Sequence, residues 1–217
     1  MLPSSKPRLA VIRPQNDRAA VVLAKWAEAL LTSLDCEFVD LKGLAASREG
    51  TSGALTTTAA SLFFCHGTPE ALLGHGGPLL DAKNANLTAG RIIVAVACSA
   101  ARVLGTATVL EGAIGFLGFN QELSWCPDFA EEFGEAAVSG IREMAKGATL
   151  AEAADTTRRS FVQLSKSLSE NFGKTGAENA VFGMIAADWN QKHVEVKGDK
   201  SATLTRAQTF SARAPGT

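Results

Sequence analysis

The sequence predicts an α/β fold: a three-layer αβα sandwich around a mostly parallel central sheet. Three observations carry that prediction. Two short segments, SLFFC and RIIVAVA, are apolar on both faces, as strands in the middle of a helix-covered sheet are. The chain opens β-α-β, which implies a right-handed crossover and parallel strands. The second half carries amphipathic helices long enough to cover a sheet face.

Residues 1–7 read as a loose lead-in. RLAVIR (8–13) is a strand stopped by Pro14. Residues 18–34 have helical spacing, with Val22, Trp26, Leu30 and Leu34 on one face and Asp17 as the cap. CEFVDL (36–41) alternates as a second strand. Residues 43–60 are rich in Gly, Ser, Thr and Ala, and read as a weak helix over 55–60 or a mobile loop. Residues 61–65 make the third strand. The loop over 67–77 contains Gly67, Gly74, Gly76 and Gly77 and is expected to be flexible and exposed. Residues 78–81 form a short β element, and 91–97 the fourth strand. Residues 99–110 follow at helical spacing, interrupted by Gly105, and 113–119 make the fifth strand.

Residues 128–146 form an amphipathic helix with Phe129, Phe133, Ala137, Ile141 and Met144 as its stripe, capped by Asp128 and ended by Gly147. Thr149 and Glu152 make a capping box for the next helix, which runs to about Leu168 with Ala153, Ala154, Phe161, Leu164 and Leu168 on its core face. The apolar run 180–187 reads as a late strand, and 193–197 as an edge hairpin paired with it. Residues 206–217 have little to bury and read as a flexible tail. No linker divides the chain, so 1–205 is expected to be a single domain.

The 217 residues are 46% hydrophobic and 20% charged, with a formal charge of -1. This suits a soluble domain with its own core. No basic excess points to nucleic acid or to a membrane surface. The longest apolar run, 92–98, is too short to span a bilayer, and MLPSSKPR lacks the apolar segment of a signal peptide. A cytoplasmic location is therefore expected. Cys36, Cys65, Cys98 and Cys126 fit neither a CxxC metal site nor a small disulfide framework. No metal or other cofactor is expected, and Cys36 and Cys65 read as buried small hydrophobes.

The chemistry concentrates at two strand ends, Cys65-His66-Gly67 and Cys98-Ser99-Ala100. In open parallel sheets, sites gather at the carboxyl ends of strands. Neighbouring strands lie about 4.8 Å apart, so an imidazole and a thiol ending adjacent strands can meet. Cys98 is then the nucleophile and His66 the general base or leaving-group acid. A helix over 99–110 would aim N–H groups at the sulfur and lower its pKa. The backbone N–H groups of Gly67 and Cys98 are the expected oxyanion hole. His75, in a second His-Gly pair, is a rival base. Cys126 and His193 read as structural and surface residues.

The pattern FFCHG followed by AVACSA resembles the caspase-like cysteine peptidases of clan CD, and most closely their CHAT branch. GAIGFLGFNQELSWCPDF resembles that branch's strand, Trp-containing loop and acidic helix start. GATLAEAADTTRRSF resembles its next helix, and HVEVKGDKSATL its closing strand and Gly-Asp turn. The resemblance covers roughly residues 61–204. It implies a caspase-haemoglobinase-like αβα sandwich and a Cys98/His66 dyad that cleaves peptide bonds. It also implies a dedicated protein substrate, such as a gasdermin-like pore former in a bacterial defence system. Relatives that cut after Arg or Lys commonly carry an acid two residues before the catalytic Cys, where this chain has Val96. An uncharged residue before the cut is therefore expected, unless Asp17, Glu122 or Asp128 supplies the acid. Arg13 is a candidate for binding an acidic substrate side chain, and Trp125 a candidate for lining the substrate cleft.

Two other classes compete for the same residues. One is a catalytically inactive caspase-like scaffold or binding domain. The other is a nucleotide-binding domain, disfavoured because neither GxGxxG nor GxxxxGK[ST] occurs; a serine hydrolase lacks its GxSxG elbow. Because 43–60 and 67–77 are Gly- and Ser/Thr-rich, they are expected to order only when a substrate or regulatory protein partner binds.

Overall fold

The computed structural model describes residues 6–175 and 178–211. Its frame is a six-stranded sheet in the order β2-β1-β3-β7-β8-β9. The strands are β1 (Arg8–Arg13), β2 (Glu37–Lys42), β3 (Ala60–Phe64), β7 (Ile92–Val96), β8 (Gly115–Phe119) and β9 (Val194–Gly198). The first five pair in parallel, and β9 runs antiparallel to β8. The chain is thus an α/β sandwich of three layers, as its both-faces-apolar strands require.

Alternation along each strand divides the core in two. Leu9, Val11, Leu62, Phe64, Ile92, Val94, Val96, Leu117 and Phe119 pack on one face against α1 (Arg18–Leu31), α4 (Ala130–Ala145) and α5 (Leu150–Thr175). Ala10, Ile12, Phe63, Cys65, Ile93, Ala95, Ala97 and Phe116 pack on the other, against α2 (Arg48–Thr57) and α3 (Leu104–Leu110). Phe63, Phe64, Phe116, Phe133 and Phe161 are fully buried, each contributing about 1.5–3 kcal/mol of transfer free energy.

Several expectations are corrected here. Residues 43–60 hold α2, capped by Ser47 Oγ on Gly50 N–H at 3.1 Å. The glycine-rich 67–77 region is built into a second, antiparallel sheet of β4 (His66–Gly67), β5 (Leu72–Gly74) and β6 (Gly77–Leu80). Leu72, Leu79 and Leu80 bury in the core half covered by α2 and α3, which holds the hairpin down. The run 180–187 is not a strand. It lies within α6 (Glu178–His193), which buries Ala180, Gly183, Ala187 and Asn190 at helical spacing. The closing strand β9 therefore pairs with β8, with Phe116 opposite Lys197, and not with a hairpin partner. Helix α7 (Leu204–Ser211) takes in the start of the stretch expected to be a tail and buries Leu204 and Ala207. Residues 212–217 of that expectation lie outside the described residues. Cys36 sits just before β2 and is half-buried.

Both outer strands carry charge, Glu37, Asp40 and Lys42 on β2 and Glu195 and Lys197 on β9. Charged edges discourage edge-to-edge pairing with another chain. Among the described residues, no helix is long and apolar enough to cross a membrane.

Candidate active site

Four chain segments leave the carboxyl ends of β1, β3, β7 and β8 at the same rim of the sheet. The sheet order reverses between β1 and β3, where crevices form in folds of this kind. The loop after β1 carries Asp17, β3 leads through Cys65 to His66, β7 leads to Cys98, and β8 leads into the 120–127 loop.

His66 and Cys98 end adjacent strands. β3 and β7 run in parallel with Phe64 opposite Val96, so the segments that follow them bring His66-Gly67 and Cys98 to the same rim. The approach is close: a Cβ placed on Gly67 would lie 2.2 Å from the Cys98 carbonyl oxygen. Both residues are half-buried at the rim.

Asp17 joins this pair. Its Oδ1 caps α1 by accepting from Ala20 N–H at 2.9 Å, and its Oδ2 bonds His66 Nε2 at 2.7 Å. The Ala20 N–H and then the imidazole hold the Asp17 carboxyl below its ordinary range. The cap was legible in the sequence, but the His66 contact was not. Its signal was positional: the loops after neighbouring strands β1 and β3 open at one rim.

The helix expected directly after Cys98 does not form. Ser99 adopts a left-handed backbone, with φ at 55°, which interrupts any helix there. Its N–H donates to Gln121 O at 2.8 Å, Ala101 N–H to Phe119 O at 3.0 Å, and α3 begins only at Leu104. The expected helix N-terminus therefore does not follow Cys98 directly. Burial instead pushes the Cys98 thiol up, and the Glu122 carboxylate adds to this. The nearby Leu123 N–H opposes both. Cys65 is fully buried, and burial drives its thiol to about 12.

The remaining candidates separate. Arg13 is buried in a two-pronged ion pair with Asp40, Nε to Oδ1 at 2.8 Å and Nη2 to Oδ2 at 2.6 Å. Its Nη1 donates to Ala24 O at 3.3 Å. That guanidinium is committed to the fold and does not bind an acidic substrate group. Val96 is buried at 2% exposure in the core half covered by α1, α4 and α5, away from the cleft. Glu122 is exposed and close enough to Cys98 to act on its thiol. Trp125 is half-buried, edge-on to Trp26 with ring centroids 6.1 Å apart. It also lines an open groove of about 490 Å³ with Phe182, Ile185 and Trp189 of α6. Asp128 does not cap α4, because a 3-10 turn (Pro127–Phe129) intervenes; it accepts from Asn179 Nδ2.

The rival base His75 lies in the β5–β6 turn. His193 is half-buried against Trp189, with ring centroids 4.2 Å apart, and bonds Asn120 through Nδ1 at 2.9 Å. Cys126 is buried, its thiol 3.7 Å from Asn179 O. Among the described residues no cluster of His, Cys, Asp and Glu could hold a metal ion. The chain matches no family model and no curated protein.

Proposed function

We propose that this protein is a cysteine endopeptidase in which Cys98 attacks a peptide carbonyl and His66 moves the proton. The observation that supports the reading is the close approach of the His66-Gly67 segment to Cys98 at one rim, with the His66 imidazole bonded to Asp17. With Nε2 bonded to the carboxylate, Nδ1 is the nitrogen left to take the thiol proton. The thiolate adds to the carbonyl carbon, and the oxyanion is received by backbone N–H groups at Gly67 and Cys98. The protonated imidazole then returns its proton to the departing amine. Water, deprotonated by the same imidazole, cleaves the thioester and frees the new carboxylate.

The resemblance to the CHAT branch supports this reading and suggests the substrate: a dedicated partner protein, such as a gasdermin-like pore former in a bacterial defence system. We propose an uncharged residue before the scissile bond, from Val96 standing where relatives carry an acid. The exposed Glu122 carboxylate, near enough to act on the Cys98 thiol, favours a basic residue there instead, and a peptide library separates the two.

One observation favours the inactive scaffold: burial and Glu122 raise the Cys98 thiol, which disfavours the thiolate that attack requires. Iodoacetamide labelling with peptide mapping decides between the readings. A peptidase labels at Cys98 selectively and with pH dependence, slows about tenfold or more in His66→Ala, and loses all library cleavage in Cys98→Ala. Slow, equal labelling of several cysteines with no cleavage establishes the scaffold.

A further inference from the structure

The backbone of the 120–124 run is tied on both sides. Toward the Cys98 rim, Gln121 O accepts from Ser99 N–H at 2.8 Å. Toward α6, Asn120 N–H donates to His193 O at 3.0 Å. Trp189 Nε1–H donates to Glu122 O at 2.8 Å. Asn190 engages both polar groups of Ser124: its Oδ1 accepts from Ser124 N–H at 3.0 Å, and its Nδ2 donates to Ser124 O at 2.6 Å.

Asn190 has no exposed surface at all. A carboxamide buried in a helix normally needs a partner for both its donor and its acceptor. Here both partners come from a loop 66 residues away in sequence. Between the two held carbonyls, of Glu122 and Ser124, sits Leu123, buried at 9% exposure. Its N–H is the loop group that favours the charged form of the Cys98 sulfur.

We propose that Asn190 and Trp189 are positioning residues for Cys98: from α6 they fix the 122–124 backbone, which Gln121 O ties to the Ser99 N–H next to Cys98, so that this loop keeps its place beside the thiol. The inference rests on reading Cys98 as the nucleophile, but it concerns the thiol itself and is measured there. A backbone N–H held on a thiolate stabilises it, and an N–H that swings away leaves only the Cys98 N–H to oppose burial and Glu122.

The test is the pH profile of iodoacetamide alkylation at Cys98 in the full chain, with the melting temperature of each variant as the folding control. Asn190→Ala should move the half-maximal pH up by about one unit, which is about tenfold slower alkylation at neutral pH. Trp189→Phe keeps an aromatic ring at a partly exposed site and removes only the indole donor. It should shift the profile the same way, by a factor of about two to three. If Asn190→Ala does not fold, the Trp189→Phe profile decides alone. An unchanged or lowered half-maximal pH in folded variants overturns the proposal. Shifted profiles in a protein that cleaves no peptide keep the clamp and remove the peptidase; cleavage with unshifted profiles does the reverse.

Discussion

Gly67 shows how little room separates the two strand ends that carry the site. A methyl group there would meet the Cys98 carbonyl at 2.2 Å and the Ala97 methyl at 3.1 Å. The obstacle is backbone, which has no rotamer to change, so Gly67→Ala must push the 66–67 segment away from 97–98. Overpacking of this kind costs about 1–3 kcal/mol. The expected result is a lower urea midpoint together with altered alkylation of Cys98; an unchanged midpoint would mean that the segment slides without strain. Arg13 teaches the complementary lesson. On its own it reads as a free cation at a strand end. Its partner Asp40 stands 27 residues away on β2, and parallel pairing of β1 with β2, with Val11 opposite Asp40, brings the carboxylate within reach. Pairing of that kind is invisible to a residue read by itself.

At the scale of elements, the sheet was the legible part, because strands apolar on both faces have one home. What misread were segments whose partners lie far along the chain. The run AVFGMIAA looks like a strand, yet its small residues Ala180, Gly183 and Ala187 recur at helical spacing and let α6 pack closely on α5. A Cβ on Gly183 would lie 2.7 Å from Leu168 Cδ1. Missing α6 meant missing Asn190 and Trp189. The glycine-rich region misread for another reason: glycine content reports backbone freedom, while Leu72, Leu79 and Leu80 decide the outcome by burying. The hairpin is also tied to α2, since Arg48 bonds Asp81 through both terminal nitrogens, at 3.0 and 2.5 Å, and Pro78 O at 3.1 Å. Hydrogen exchange should therefore show protected amides in β5 and β6 in the isolated protein. Arg48→Ala should speed exchange there by a few-fold, since a partly exposed ion pair contributes about 0.2–1 kcal/mol. Free exchange across 72–80 in the wild type would restore the view that a partner must order this region.

For the molecule as a whole, charge placement sets the pH range in which the sandwich holds. Asp17, Asp81, Glu152 and Asp199 all sit below the ordinary carboxylate range. The main causes are, in turn, the Ala20 N–H, the Arg48 guanidinium, the Thr149 N–H and the Ser201 hydroxyl. A carboxyl lowered by folding stabilises the native state above its unfolded pKa of about 4. That stability is lost as pH falls through the lower folded value. The thiols act at the other end. Burial raises Cys36 and Cys98 and brings Cys65 to about 12. A thiol raised by folding costs nothing below its unfolded pKa of about 8.5. Above that, the unfolded chain ionises first and native stability declines toward the folded value. The urea midpoint should thus be flat from about pH 5 to 8 and fall on either side. Asp81 is the carboxylate to remove first, because its side chain is only 17% exposed and screened least by solvent. Asp81→Asn should lower the plateau slightly and make the acid fall shallower, while Cys65→Ala should lower it more, by opening a cavity, and flatten the alkaline fall. Wild-type slopes on both limbs in these variants would mean that other groups, not these, carry the proton linkage of the fold.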